Sequence, residues 1–87
     1  MIITWDEKKR LVNLTRHETD FADLDFAFFD HAIIRRSHSG RWLAIGSSAY
    51  GLISVAFATL GQEAISVISM RPASRKERKL ADGEESI

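Results

Sequence analysis

From His31 onward the apolar residues recur at every second position, and the segments that do so are joined by very short turns. Arg41, Leu43 and Ile45 alternate with Trp42 and Ala44. Ile53, Val55 and Phe57 alternate with Ser54, Ala56 and Ala58, and Ile65 to Met70 follows. A period of two is that of a β-strand, whose successive side chains point to opposite faces of a sheet. Turns as short as Ser48-Ala49-Tyr50-Gly51 and Gly61-Gln62 cannot carry a crossover, so these three strands are expected to pair antiparallel. His31 to Arg36 reads as a further strand ahead of them, and Ile2-Ile3-Thr4-Trp5 as a short strand leading in.

The first third of the chain has helical spacing instead. Asp6 is placed to cap a helix running to about His17, and Glu7 puts negative charge at the positive end of its dipole. Leu11 and Leu14, at i and i+3, are expected to form the buried face. Lys9, Asn13 and His17, each four residues apart, then form one row facing outward. Thr19 or Asp20 caps a second helix over Phe21 to Phe29, with Phe21, Leu24 and Phe28 at helical spacing. Pro72 is expected to stop the sheet ladder because it lacks a backbone N–H. Ser74-x-x-Glu77 is a capping-box pattern that starts a last, basic helix with few apolar anchors (Ala73, Leu80, Ala81). The order strand, helix, helix, three or four antiparallel strands, helix specifies a small α+β domain with helices packed against a twisted sheet. Residues 1–87 make one domain, with 82–87 expected to be a frayed tail.

Composition removes several kinds of chemistry. Lys plus Arg and Asp plus Glu number 12 each, so the net charge is zero and nucleic acid cannot be held by bulk charge alone. The bases are nevertheless clustered, at Lys8-Lys9-Arg10, Arg35-Arg36 and Arg71 to Lys79. With 0 cysteines there is no disulfide, thiolate nucleophile or cysteine-held zinc. The three histidines, His17, His31 and His38, lack metal-ligand spacing, so neither a metal site nor a cofactor is expected. No apolar run approaches the roughly 18 to 20 residues of a membrane span, and the N-terminus has no signal-peptide pattern. The expectation is a cytoplasmic protein with no membrane partner.

The row of Lys9, Asn13 and His17 has two readings. It can set a proton-transferring imidazole and an ammonium against a phosphate, or it can be an ordinary solvated helix face. The surrounding residues add a resemblance. Trp5-Asp6-x-x-Lys9-x-x-x-Asn13-x-x-x-His17-x-x-x-Phe21 resembles the signature of the BrnT family of type II toxin–antitoxin toxins. Arg41-x-x-Ala44-Ile45-Gly46-x-Ser48-x-x-Gly51 is similar to the family's second strand and turn. Ile68-Ser69-x-Arg71-x-Ala73-x-x-x-Glu77 is similar to its final strand and helix start. The resemblance runs from about Trp5 to Lys79. It implies a RelE-like fold and a metal-independent endoribonuclease that inhibits growth. It also implies a cognate, BrnA-like antitoxin, usually encoded next door and commonly carrying a DNA-binding module, in a toxin–antitoxin hetero-oligomer.

The resemblance also assigns roles. RNA is cut without metal when its own 2′-hydroxyl attacks the adjacent phosphorus, which calls for a base, an acid and cations around the transition state. His17 is then the general acid or base, or else a helix-end histidine that complements the helix dipole. Lys9 is a phosphate contact or acid–base group, or else a solvated lysine. Arg71, on the side of Val67 and Ser69 at the end of the last strand, grips the phosphate, or else pairs with Glu77. Arg41 adds a second cation. Asn13 orients the nucleotide or caps a loop, and Arg16 and Tyr50 are further RNA contacts. Trp5 and Trp42 are read as buried rather than stacked on bases. The chain departs from the family pattern at Thr15, Glu18-Thr19, Leu52, Ala58 and Pro72, changes that together remove positive charge. A second reading is therefore an attenuated toxin-fold module that binds antitoxin or RNA without cutting.

Overall fold

The computed structural model describes residues 1–83. Five strands form one sheet in the order β1-β5-β4-β3-β2: β1 (Ile2–Trp5), β2 (Ile33–Arg36), β3 (Trp42–Ser48), β4 (Gly51–Leu60) and β5 (Ala64–Pro72). Three helices, α1 (Glu7–His17), α2 (Phe26–His31) and α3 (Arg75–Ala81), complete an α+β domain. The meander β2-β3-β4-β5 is antiparallel, as its short turns demand. The sheet has five strands rather than three or four, and it is mixed: β1 pairs parallel to β5, from Ile2 opposite Ala64 to Trp5 opposite Val67. A short apolar strand carries no label of its partner, and here the partner is the strand most distant in sequence.

One face of the sheet carries the core. Ala44, Ile53, Val55, Phe57, Ile65, Val67 and Met70 lie beneath Phe21, Leu24, Phe28 and Phe29 from the helical segment. Phe29 meets Phe28 and Phe57 edge-on, with ring centroids 5.2 and 5.5 Å apart, an arrangement aromatic quadrupoles favour. Trp5 and Trp42 pack against this cluster, partly buried. The expected second helix is broken into a 3₁₀ turn, Phe21–Asp23, and the six-residue α2. Two aspartates in close succession explain the break. The Asp20 side chain accepts from Ala22 N–H, and the Asp25 side chain accepts from Phe28 N–H, so each begins its own helical turn.

The first helix is turned over relative to its apolar pattern. Asp6 caps it as expected, accepting from Lys8 and Lys9 N–H. Leu11, however, is 52% exposed, Leu14 is half-buried, and the residue most deeply buried is Asn13. The cause lies in the sheet. β1 ends opposite Val67, so β5 continues past it without a neighbouring strand on that side. Asn13 Oδ1 accepts from Met70 N–H at 3.0 Å, and Thr19 Oγ1 donates to Met70 C=O at 3.1 Å. Two side chains thus take over where the ladder stops, and the need to satisfy buried backbone groups overrides the leucines.

The other face is covered by α3. The capping box is formed: Ser74 Oγ accepts from Glu77 N–H, and Glu77 Oε1 accepts from Ser74 N–H. The strand register shifts between Ala56 and Phe57, so that Ser69 opposes Ala56 and Val67 opposes Phe57, leaving Ile68 as an extra residue. This bulge reverses the alternation beyond it. Met70 faces the core with Val67, while Arg71 pairs with Ser54 on the face of α3. Arg71 is therefore on the opposite side from Val67, not on the same side. The ladder ends at Pro72, the last residue of β5, opposite Ile53. Asp82 and Gly83 close α3 through backbone bonds to Arg78 and Leu80. The rest of the expected tail, 84–87, lies outside the described residues. Among the described residues no helix is long and apolar enough to cross a membrane.

Candidate active site between α1 and β5

Lys8, Lys9, Val12, Asn13, Arg16 and His17 of α1 face Ile68 and Ser69 of β5 across a shallow cleft of about 300 Å³. Four of the residues singled out from the sequence, Lys9, Asn13, Arg16 and His17, are thereby brought together. They do not play equal parts. Asn13 forms the floor: its amide nitrogen donates to Thr19 C=O and Thr19 Oγ1, both at 3.1 Å, and its oxygen holds Met70 N–H. Every polar atom of the side chain is engaged, so Asn13 positions the helix. Lys9 and Arg16 are exposed on the rim, and His17 is half-buried at the end of the helix. Lys8 and Ser69 also line the cleft. Lys8 carried a signal only as part of a basic cluster, and Ser69 could be placed only once the bulge at Ile68 was known.

The helix is fixed at its far side by an ion pair. Arg10 Nε donates to Asp20 Oδ1 at 2.8 Å, its Nη2 donates to Asp20 Oδ2 at 3.1 Å, and its Nη1 bonds Glu7. Arg10 holds the Asp20 carboxyl below the usual carboxylate range, chiefly through those hydrogen bonds. The pair anchors α1 to the segment that follows it.

Arg71 is held by Glu77. Its Nη1 donates to Oε1 at 2.7 Å and its Nη2 to Oε2 at 2.9 Å, a two-pronged pairing whose energy and direction are both set. Ser54 Oγ donates to Glu77 Oε2 at 3.3 Å, and Ser74 N–H donates to Oε1 at 2.8 Å. The Arg71 guanidinium above all, with Ser74 after it, lowers the Glu77 carboxyl to about 2. Arg71 does not line the cleft. It shares a strand face with Ser69, which does, two residues further on, and that is about 7 Å at the rise of a β-strand.

Tyr50 and Arg41 lie elsewhere. Tyr50 is 40% exposed at the β3–β4 turn. Its hydroxyl bonds the Asp23 carboxylate and accepts from Asp20 N–H at 3.3 Å. The Asp23 bond raises the phenol above its ordinary pKa, because ionisation would set two negative charges side by side. Arg41 is exposed in the β2–β3 turn, in a separate hollow with Arg36, Ser37, Gly40 and Trp42. The cleft is thus lined by the ammonium groups of Lys8 and Lys9, the guanidinium of Arg16, the imidazole of His17 and the amide of Asn13, beside the apolar Val12 and Ile68, and among the described residues no carboxylate lines it.

Comparison with known proteins agrees with this fold. The sequence family described as "Ribonuclease toxin, BrnT, of type II toxin-antitoxin system" matches residues 5–77. A solved structure, the 1.1 Å crystal structure of the Brucella abortus ribonuclease toxin BrnT, is similar to this fold with a TM-score of 0.80. The sequences are 47% identical over 86% of this chain and 99% of that one. No curated protein matches.

Proposed function

Since the chain belongs to the BrnT family of ribonuclease toxins of type II toxin–antitoxin systems, we propose that it cuts RNA in the cleft between α1 and β5, without a metal ion. The observation that carries this reading is the convergence of Lys9, Arg16 and His17 on one cleft beside Ser69. In the reaction the substrate's 2′-oxygen bonds to the neighbouring phosphorus and the bond to the 5′-oxygen breaks. The 2′-proton passes to a base, and a proton is delivered to the departing 5′-oxygen. His17 and Lys9 share these two proton transfers. Arg16 holds the entering phosphate. Arg71, two residues beyond Ser69, supplies positive charge to the pentacoordinate phosphorus from its fixed place on the strand. Tyr50 and Arg41, outside the cleft, serve flanking nucleotides. The family implies an antitoxin partner; we take it to be BrnA-like and to bind this chain in a hetero-oligomer.

The test is incubation of the purified chain with total RNA in EDTA, beside His17→Ala, Lys9→Ala and Arg71→Ala. Cleavage by the parent chain, lowered about 10²- to 10⁴-fold in His17→Ala, is the expected result. Cleavage that persists undiminished in both His17→Ala and Lys9→Ala would remove the cleft as the site. A second reading is favoured by one observation, the neutralisation of Arg71 by Glu77: a toxin fold that binds without cutting. It predicts no cleavage by any of these proteins at high concentration.

A further inference from the structure

The helix that holds Lys9 and His17 displays its apolar residues to solvent. At 100° per residue, Asn13, His17, Arg10 and Leu14 occupy an arc of about 100° turned towards the protein. Leu11, Thr15, Lys8, Val12 and Arg16 occupy the outward arc of about 140°. Leu11 is 52% exposed and Val12 55%. With Thr15 and Arg16 they line a shallow hollow of about 510 Å³ on the open side of the helix. An amphipathic helix packed alone would bury its leucines and valine and expose its amide; α1 keeps Leu14 half-buried but turns Leu11 and Val12 outward and buries Asn13 instead. Val12 and Arg16 belong both to this hollow and to the cleft beside Ser69, so the two surfaces meet along one ridge.

We propose that this outward face of α1 is the docking surface for the cognate antitoxin, and that it receives an amphipathic, acidic segment of that partner. The charge on the face selects the occupant. Lys8 and Arg16 stand at the two ends of the Leu11–Val12 patch, and Lys9 adds a third cation on the cleft side. The acid nearest in sequence, Glu7, is turned to Arg10. A partner that places apolar side chains on Leu11 and Val12 and carboxylates on Lys8 and Arg16 satisfies both demands. Because Val12 and Arg16 also line the cleft, such a partner lies over its mouth and obstructs RNA. That last consequence rests on the cleft being the cleavage site; the docking surface itself does not.

Leu11 lies outside the cleft, so Leu11→Glu and Thr15→Glu separate docking from cleavage. The chain and the product of the adjacent open reading frame are co-expressed and separated, and their affinity is measured by titration calorimetry, with thermal melting to verify folding. We expect Leu11→Glu to melt like the parent chain and to lose at least about tenfold in affinity, as central apolar anchors do. Thr15→Glu should weaken binding in the same direction, and both should retain RNA cleavage within about twofold. The affinity comparison reads the surface whether or not the parent chain cuts RNA, so it stands apart from the ribonuclease assay. Unchanged affinity in both folded variants would overturn the proposal. So would a parent chain that dimerises by itself in sedimentation and loses the dimer in Leu11→Glu, since the occupant would then be a second copy of the chain.

Discussion

The side-chain amide of Asn13 accepts the backbone N–H of Met70 at 3.0 Å, joining a helix to a strand 57 residues further along the chain. Thr19, itself held by Asn13, donates to the carbonyl of the same residue. Asn13→Ala leaves the Met70 N–H and the Thr19 carbonyl without these partners in a buried place. We expect a loss of about 2 to 4 kcal/mol of stability in urea unfolding. A loss under about 1 kcal/mol would mean that water replaces the amide and that α1 is held chiefly by Arg10.

Glu77 makes stability depend on acid. Its carboxyl is lowered from 4.5 to about 2 in the folded state, and it is 9% exposed. A group whose folded pKa is depressed contributes fully above its unfolded pKa and loses that contribution as pH falls through the folded value. The window is therefore from about pH 5 down to about pH 2. Glu77→Gln keeps an acceptor for Ser74 N–H and loses the ion pair. With the half-exposed Arg71 partly screened by solvent, it should cost about 2 kcal/mol at neutral pH. Its stability should also fall less steeply between pH 5 and 2, as read by denaturant titrations at several pH values. Parallel acid limbs in parent and variant would place the acid sensitivity elsewhere.

Tyr50 ties the β3–β4 turn to the segment ahead of α2 through Asp23 and Asp20. Tyr50→Phe keeps the ring and removes both bonds, so stability should drop by about 1 kcal/mol. If the hydroxyl is also an RNA contact, KM for RNA should rise in the same variant. A KM change with no change in melting would mark Tyr50 as a contact and not a tie.

Gly46 of β3 lies against Phe28 and Ala32, in and just after α2. A Cβ there would lie 3.1 Å from Phe28 Cε1 and 3.3 Å from Ala32 Cβ. Gly46→Ala should cost about 1 kcal/mol and Gly46→Val about 2 to 3 kcal/mol, through displaced packing of the aromatic cluster. Equal stability in Gly46→Ala and the parent chain would show that α2 can shift by a few tenths of an ångström.

The antiparallel meander was legible because alternation and short turns leave one solution, and the capping residues Asp6 and Ser74 announced two helix starts. The parallel pairing of β1 with β5 was not legible, and neither were three further features. The facing of α1 is decided by where β1 ends on β5, which no local pattern in residues 7–17 reports. The break after Asp23 depends on whether Asp25 caps or continues a helix, a choice the aromatic spacing of Phe21, Leu24 and Phe28 does not register. The side of Arg71 depends on the bulge at Ile68, and counting by twos from Val67 gives the wrong answer. The row did bring Lys9, Asn13 and His17 to one cleft, because i, i+4 spacing survives rotation of the whole helix. The pairing of Arg71 with Glu77 was one of two readings the sequence left open for that arginine, and its distance from the cleft was a matter of register.

The pairing of β1 with β5 sets the order in which the molecule can be assembled. Thr4 Oγ1 donates to Ile65 C=O across 61 residues, and among the described residues the strand it belongs to has no other neighbour in the sheet. At a synthesis rate of about 5 to 20 residues per second, the N-terminal strand waits about 3 to 12 seconds for its partner to be made. The wall of the cleft formed by Ile68 and Ser69 arrives later still. The pairing of β1 and the cleft between α1 and β5 therefore share one requirement, that β5 be in place, and neither forms from the first half of the fold alone.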